Sequence, residues 1–374
     1  MQEKEREAGI QDMPAIKDNN TSSPLKSQRP SMINLLDLDR EELETVFDDK
    51  SFRGSQIFSW IFGRGVRDVS LMTNIPRELR DEIALSASII YPTVIDSQVS
   101  EDSTEKLVYK LADGNIIESV LIPEKGHWSV CVSSQVGCAM GCLICYTASM
   151  GFVRNLTSGE ILAQVLYPMH AYPNRAIRNV VFMGMGEPLL NYDNVVKAVR
   201  ILTDPAGLQI SKRRVTISSC GIIPRLSGLA KDTPAGLAVS LNAAFNEKRS
   251  LLMPVNKKYP LDRLIRALKD YDLPNRRRIT IEYVLVKGIN DSLTDARELI
   301  RVLHGLKAKV NLIPFNPWPG CTLAAPETRD VLAFEERLKD SPIAVMLRKE
   351  KGKDILAACG QLAGGARGGC DNSH

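Results

Sequence analysis

The 374-residue chain contains no hydrophobic run long enough to cross a membrane, which takes about eighteen consecutive apolar residues. Its N-terminus is charged from the third residue and has no apolar stretch of the kind found in secretion signals. The charge balance is slight, because 48 Lys and Arg residues face 44 Asp and Glu residues. These absences predict a cytoplasmic protein without a membrane partner, and overall charge alone does not indicate nucleic-acid binding.

Composition and cysteine content narrow the class of protein further. Hydrophobic residues make up 44% of the chain and charged residues 25%, values typical of globular proteins with a sizeable core. A chain of this length accommodates one large domain and a smaller one. Eight cysteines occur without a secretion signal, which favours metal or redox chemistry over a disulfide framework.

The N-terminal part of the sequence changes in character near Ile33. Residues 1–30 are rich in Glu, Lys, Asn and Ser and contain few large apolar side chains, so we expect a disordered tail. Over 31–92, apolar periodicity predicts a small helical accessory domain, whose first helix starts with Asp39 and Glu42 spaced as a capping box. Because its arginines could contact phosphates, we interpret this domain as RNA-binding.

Strand patterns begin after the helical domain. Over 93–125, two β-rich runs flank the turn Asp113-Gly114 and predict a β-hairpin connector. Over 126–350, six apolar strands alternate with helical stretches, which requires a parallel sheet with helices outside it, open or closed into a partial barrel. The sequence therefore predicts an α/β fold, followed by a C-terminal segment over 351–374.

Three cysteines follow the first strand of this series in one short loop. Cys138, Cys142 and Cys145 form a CxxxCxxC pattern, whose thiolates can hold three corners of a [4Fe-4S] cluster and leave the fourth iron open for a small ligand. The alternative is a structural zinc site, which needs a fourth ligand, and His127 is the nearby candidate. A third reading is a chance cluster of free thiols, whereas either of the first two makes this loop a metal centre.

Polar residues and glycines recur where the predicted strands end. Because the carboxyl ends of parallel strands carry the active sites of such folds, we expect these residues to line one pocket. Glycines in such a pocket let the backbone approach a ligand, and a carboxylate can pair with an ammonium group. The residues are Gly186, Glu187, Ser218, Ser240, Asn242 and Asn316.

The cysteine triplet at the end of a first β/α strand resembles the radical S-adenosylmethionine (SAM) superfamily. More narrowly, the strings CVSSQVGCAMGC, GMGEPL, IPFNPWPG and DILAACGQL resemble the bacterial RNA adenine-C2 methyltransferases of the RlmN type. The resemblance implies a partial (β/α)6 radical-SAM barrel with a [4Fe-4S] cluster and SAM as cofactors. It also implies methylation of C2 of an adenosine in 23S rRNA and, in some members, of a tRNA adenosine near the anticodon, with an electron donor such as flavodoxin or ferredoxin.

The resemblance also assigns roles to individual residues. Cys359 corresponds to the cysteine that accepts a methyl group, Cys131 to its redox partner, and Glu118 to a proton acceptor. The implied cluster ligands are Cys138, Cys142 and Cys145. The implied SAM-binding residues are Gly186, Glu187, Ser218, Ser240, Leu241, Asn242 and Asn316.

Adenine C2 is electron-poor and has no nucleophilic lone pair, so it cannot attack the methyl group of SAM in an ordinary polar methyl transfer. The resemblance implies that Cys359 is methylated by displacement, and that a radical derived from a second SAM removes hydrogen from its S-methyl group. The carbon radical adds to C2, Glu118 removes the C2 proton, and a disulfide between Cys131 and Cys359 then releases the RNA. Two SAM molecules are consumed for each methyl group transferred.

Other readings and one departure from the family pattern stay open at this point. The related adenine-C8 methyltransferases of antibiotic resistance share the cluster and both working cysteines. A zinc-bound RNA-binding protein without catalysis would also account for the cysteines and the basic runs. Asn242 stands where many family members have His, and an Asn hydrogen-bonds SAM but cannot ionise.

Overall fold

The computed structural model describes residues 32–46, 52–273 and 277–364. The predicted tail over 1–30 and the part of the C-terminal segment beyond 364 lie outside these residues. Among the helices of the described ranges, none combines the length and apolar character needed to cross a lipid bilayer.

The described strands belong to one large sheet and two small ones. Their bounds are β1 (Ile33–Asn34), β2 (Ala87–Ser88), β3 (Thr93–Val99), β4 (Glu105–Lys110), β5 (Ile116–Glu124), β6 (His127–Cys131), β7 (Gln135–Gly137), β8 (Phe152–Asn155), β9 (Ile177–Phe182), β10 (Val215–Ser219), β11 (Gly236–Ser240), β12 (Ile279–Leu285), β13 (Ala308–Pro314) and β14 (Ala344–Leu347).

Helices of the described residues precede the large sheet and connect its strands. They are α1 (Arg40–Val46), α2 (Phe52–Phe58), α3 (Arg77–Ser86), α4 (Tyr146–Ser149), α5 (Ser158–Ala171), α6 (Tyr192–Thr203), α7 (Ile223–Asp232), α8 (Asn246–Leu252), α9 (Val255–Lys258), α10 (Leu261–Lys269), α11 (Leu293–Val302) and α12 (Thr328–Lys339).

The N-terminal helices start as the sequence predicts. The backbone N–H of Asp39 donates to Glu42 Oε2 at 2.9 Å, and the N–H of Glu42 donates to Asp39 Oδ1 at 3.0 Å. This reciprocal pair satisfies amide groups that a helix start leaves without partners. Leu43 of α1 and Ile57 of α2 are fully buried, so the two helices pack through the apolar positions that the periodicity indicates.

The large sheet has ten strands in the order β14-β13-β12-β11-β10-β9-β6-β5-β4-β3. Neighbours from β6 through β9 to β14 are parallel, whereas β3, β4, β5 and β6 are antiparallel. Parallel strands need crossover connections, and the helices from α5 onward supply them. The carboxyl ends of the parallel strands therefore lie along one edge of the sheet, and the predicted α/β fold with its parallel β/α series is confirmed.

The sheet has two features that the sequence does not predict. The hairpin of β4 and β5 belongs to the large sheet, because β5 pairs with β6. A further parallel strand, β14, pairs with β13 beyond the six predicted strands. Its four residues alternate between exposed and half-buried positions, so they form no apolar run that would identify a buried strand.

Candidate active site

The cysteine loop lies between β7 and α4 and is held at several points. The N–H of Cys138 donates to the carbonyl of Gly151 at 2.7 Å, and the N–H of Leu143 donates to the carbonyl of Leu252 at 2.9 Å. Gly137 before the loop has φ +72°, and a Cβ there would lie 2.0 Å from the Gly151 carbonyl oxygen. Only glycine fits this position without strain. The loop therefore has a defined path between β8 and α8.

The three thiols of the loop share one environment. Burial raises the pKa of Cys138 to about 12 and that of Cys142 well above its usual value, and neighbouring thiols add to both effects. Burial also raises the pKa of Cys145. Cysteines buried this close together favour either protonated thiols or a bound cation that compensates their negative charge.

The donor set fits an iron–sulfur cluster better than a single zinc ion. Across the described ranges, no three His, Cys, Asp or Glu side chains are arranged to hold one metal ion. In a cubane each thiolate binds a different iron, so the sulfurs need not converge on one point. His127, the fourth ligand of the zinc alternative, faces Asn179, whose Nδ2 lies 2.9 Å from His127 Nε2.

A cavity joins the cysteine loop to the carboxyl ends of the strands. Its wall includes nine of the residues predicted for the site: Cys138, Cys142, Cys145, Gly186, Glu187, Ser218, Ser240, Asn242 and Cys359. A second cavity contains Asn316 and shares Ile313 and Cys359 with the first, so the two cavities adjoin at Cys359. The remaining predicted residues, Glu118, Cys131 and Leu241, do not line the first cavity.

Gly186 and Glu187 form a tightly packed corner of the first cavity. Gly186 has φ +97°, and a Cβ there would lie 2.5 Å from Cβ of Gln135. Gln135 Oε1 in turn accepts from the N–H of Glu187 at 2.8 Å. The Glu187 carboxylate accepts from the N–H groups of Leu189 at 2.9 Å and Cys220 at 2.8 Å, while burial raises its pKa. The carboxylate is thus fixed at the cavity wall.

The side-chain amide of Asn242 has hydrogen-bond partners, whereas the amide oxygen of Asn316 has none among the described residues. Asn242 has φ +58°, its Oδ1 accepts from the N–H of Val284 at 2.9 Å, and its Nδ2 lies 3.1 Å from Sδ of Met253. Asn316 Oδ1 is buried without a hydrogen-bond partner in the described part of the chain. A buried acceptor of this kind suits a ligand that donates a hydrogen bond. Leu241 is fully buried, and its backbone N–H donates to the carbonyl of Glu282 at 3.0 Å.

Cys359 and Cys131 are electrostatic neighbours, although they lie far apart in sequence. Cys131 is buried at the end of β6, and burial together with the Cys359 thiol raises its pKa to about 12. Cys359 lines the cavity wall, and burial of its thiol raises its pKa, whereas the positive charge of Arg348 lowers it. Arg348 directly follows β14. The guanidinium that acts on Cys359 is therefore positioned by a strand that the sequence pattern does not predict.

The segment around Cys359 is fastened to the cysteine loop. The carbonyl of Gly360 accepts from the N–H of Tyr146 at 2.7 Å, and the carbonyl of Leu362 accepts from Oγ1 of Thr147 at 2.7 Å. Tyr146 also stacks on Trp318, with ring centroids 4.9 Å apart and planes 3° from parallel. These contacts place Cys359 beside the loop that carries the other cysteines.

Glu118 binds the C-terminal segment. It is buried on β5, its Oε2 accepts from the N–H of Ala363 at 2.9 Å, and its Oε1 lies 3.8 Å from Nζ of Lys106. The same Nζ donates to the carbonyl of Ile355 at 2.7 Å. Glu118 and Lys106 thus hold the segment on both sides of Cys359.

Sequence reasoning missed one acidic group of the cavity. Glu282 lies buried on β12, lines the cavity with the cysteine loop and Cys359, and accepts from Nδ2 of Asn311 at 3.0 Å. Burial raises its pKa, and Arg348 opposes that effect. A charged residue within the apolar run RITIEYVLV was a usable signal, because buried carboxylates without a function are uncommon.

Known proteins match most of this chain. Residues 132–300 match a family model described as the radical SAM superfamily. Residues 33–89 match one described as a ribosomal RNA large subunit methyltransferase N-terminal domain. The crystal structure of a radical SAM methyltransferase from Sphaerobacter thermophilus aligns with a TM-score of 0.83 and 40% identity, over 88% of this chain and 99% of that one.

Two relatives carry the description dual-specificity RNA methyltransferase RlmN. The protein from Syntrophobacter fumaroxidans is 46% identical over 323 residues, which are 86% of this chain and 94% of the relative. The protein from Geotalea uraniireducens is 47% identical over 313 residues, which are 84% of this chain and 90% of the relative. The similarity spans the helical N-terminal region and the parallel sheet together.

Proposed function

Because the chain belongs to the RlmN family of dual-specificity RNA methyltransferases, we propose that it methylates C2 of an adenosine in 23S rRNA and of an adenosine in tRNA. The observation that carries the proposal is the position of Cys359. It lines one cavity with the CxxxCxxC cysteines and a second cavity with Asn316. A methyl-carrying thiol at this junction can meet SAM on one side and an RNA base on the other.

Cys138, Cys142 and Cys145 would hold the [4Fe-4S] cluster, and the strand ends would hold SAM. When bound, a cluster with one open iron chelates SAM and supplies the electron that cleaves its sulfonium to a 5′-deoxyadenosyl radical. Glu187 offers its carboxylate to the amino group of SAM, and Asn316 Oδ1 offers an unused acceptor. The other proposed SAM contacts are Gly186, Ser218, Ser240, Leu241 and Asn242.

The two working thiols have distinct roles in the proposal. Cys359 attacks the methyl group of SAM as a thiolate, and S-adenosylhomocysteine leaves. The positive charge of Arg348 stabilises this thiolate. The Cys359 thiol lies near enough to raise the pKa of Cys131. Cys131 forms a disulfide with Cys359 as the bond between the Cys359 sulfur and the transferred carbon breaks, and that carbon takes up a proton to complete the methyl group of the released RNA. An external reductant then restores both thiols.

Glu118 is proposed as the acceptor of the C2 proton. It is held beside the segment of Cys359 by the N–H of Ala363, so movement of that segment would bring the carboxylate and the base together. Lys106, whose Nζ lies 3.8 Å from Oε1, holds the carboxylate from the other side. The acid–base step thus depends on the same contact that fixes the C-terminal segment.

The division of the chain follows from these roles. We propose an RNA-binding helical domain over 31–92, a connector over 93–125, a catalytic barrel over 126–350 and a C-terminal segment from 351 that carries Cys359. The two family models match within the first and third of these parts. A flavodoxin or ferredoxin is the proposed electron donor, and the cytoplasm is the proposed location because ribosomal and transfer RNA lie there.

The experiment compares the wild type with Cys359→Ala, Cys131→Ala and the control Cys321→Ala in anaerobic reactions with labelled SAM and ribosomal RNA. Cys321 does not line either cavity, so its variant should keep wild-type turnover. We expect no transfer with Cys359→Ala and a covalent enzyme–RNA adduct with Cys131→Ala. Turnover by either variant would contradict the assigned roles. Mass mapping of the product separates methylation at C2 from methylation at C8.

A further inference from the structure

Arg249 is a large buried side chain for which the proposed reaction gives no role. It lies on α8, its relative exposure is 0%, and it heads the described side chains when those fully buried are ordered by volume. Arginine is almost never fully buried unless a partner compensates its charge. Its surroundings therefore indicate what that partner is.

The hydrogen bonds of Arg249 all go to uncharged oxygen atoms. Nε donates to the carbonyl of Leu241 at 3.1 Å, Nη1 donates to Oδ1 of Asn256 at 2.9 Å, and Nη2 donates to the carbonyl of Cys220 at 2.9 Å. None of the ion pairs among the described residues involves this guanidinium. The donors are satisfied, but the positive charge is left without an anion.

Arg249 lies next to the cavity of the cysteine loop, because Cys220, whose carbonyl accepts from Nη2, lines that cavity together with the loop cysteines. Burial lowers the pKa of Arg249, and the thiols of Cys220 and Cys142 oppose that effect. The helix that carries Arg249 ends at Leu252, whose carbonyl accepts from the N–H of Leu143 in the cysteine loop at 2.9 Å. The helix of Arg249 is therefore connected by a hydrogen bond to Leu143, which follows Cys142 in the cysteine loop.

Burying a charge without a compensating anion is costly, so the position of Arg249 favours a site that holds an anion. A cubane core held by three thiolates is net negative, and reduction adds one further negative charge. A fixed cation near such a core favours the reduced state and raises the reduction potential. The carbonyls that Arg249 binds also lie at the ends of β10 and β11, where the cavity wall forms.

We propose that Arg249 is the buried counter-charge of the cluster site, a positioning residue that raises the reduction potential of the cluster and fixes the adjoining strand ends. The proposal rests on the proposed function, since it requires the cluster. A purely structural role would depend on the hydrogen bonds of the guanidinium alone. An electrostatic role depends on the positive charge, and this difference makes the two roles separable.

The test uses the full chain after anaerobic reconstitution, with iron content and a redox titration followed by electron paramagnetic resonance. Arg249→Lys keeps the charge without the planar fork, and Arg249→Gln keeps hydrogen-bond donors without the charge. Arg266→Gln, on the exposed face of α10, is the matched control. We expect the wild-type potential in Arg249→Lys and Arg266→Gln and a lower potential in Arg249→Gln.

Each outcome decides the proposal. Loss of the cluster from Arg249→Gln but not from Arg249→Lys supports it, because the charge is then what the site requires. Equal potentials in Arg249→Gln and the wild type, or loss of the cluster from both Arg249 variants, overturns it. A wild-type chain that binds no cluster contradicts the proposed function instead, so the two failures are distinguishable.

Discussion

The carboxylate of Glu118 accepts a hydrogen bond from the backbone N–H of Ala363, with 2.9 Å between Oε2 and the nitrogen. The two residues join the β5 strand to the segment that carries Cys359. The side chain of Glu118 therefore helps to hold the segment of Cys359 and is also the proposed proton acceptor. A substitution that keeps the hydrogen bond to Ala363 but removes the ability to accept a proton separates the two roles.

Glu118→Gln should leave methylation of Cys359 intact and lower RNA turnover at least about a hundredfold, because an amide accepts from Ala363 but cannot take a proton. The measurements are the mass of the isolated C-terminal peptide and single-turnover transfer to RNA. Glu118→Ala, which also removes the hydrogen bond, should lower both. Wild-type turnover in Glu118→Gln would restrict Glu118 to holding the segment.

Arg348→Met should slow methylation of Cys359 about tenfold at pH 8. Removal of the cation raises the pKa of the Cys359 thiol further, and each unit of pKa lowers the thiolate fraction about tenfold. The measurement is single-turnover formation of S-adenosylhomocysteine across pH 7–9.

Arg348→Lys serves as the matched variant, since it keeps a positive charge near the sulfur. It should lie closer to the wild type than Arg348→Met at every pH. A rate that does not depend on the charge at this position would remove Arg348 from the methylation step.

Release of the methylated RNA should accelerate with pH. The pKa of Cys131 is raised to about 12, so its thiol is protonated at neutral pH, and the thiolate fraction grows roughly tenfold per pH unit below that value. We expect the enzyme–RNA adduct to decay faster at pH 9 than at pH 7 in a rapid-quench experiment. An adduct lifetime that is constant over this range would mean that ionisation of Cys131 does not limit release.

Gly186→Ala should destabilise the chain by about 2–4 kcal/mol and abolish SAM binding, since its Cβ would overlap Gln135 in addition to the strain of a positive φ. Gly126→Ala is the control, because Gly126 also has a positive φ but a Cβ there meets nothing within 4 Å. That variant should lose about 1 kcal/mol and keep SAM binding. Chemical denaturation and equilibrium binding of SAM measure the two effects.

Local signals predicted much of the fold and the cysteine loop. Asp39 and Glu42 cap a helix through neighbours in the chain, and the CxxxCxxC spacing is likewise contained in one loop. Arg249 and Arg348 carry no such signal, because their partners come from distant strands and are brought close only by folding. Glu282 is an intermediate case. The sequence shows an acidic residue within an apolar run, but it does not show that Asn311 is its hydrogen-bond partner.

The most direct test of the account is the electron paramagnetic resonance spectrum of the anaerobically reconstituted, reduced wild-type chain with and without SAM, together with its iron content. The account predicts about four irons per chain, held by Cys138, Cys142 and Cys145, and a cluster signal that changes when SAM is added. A chain that binds zinc in place of iron, or a cluster signal that SAM leaves unchanged, would contradict it.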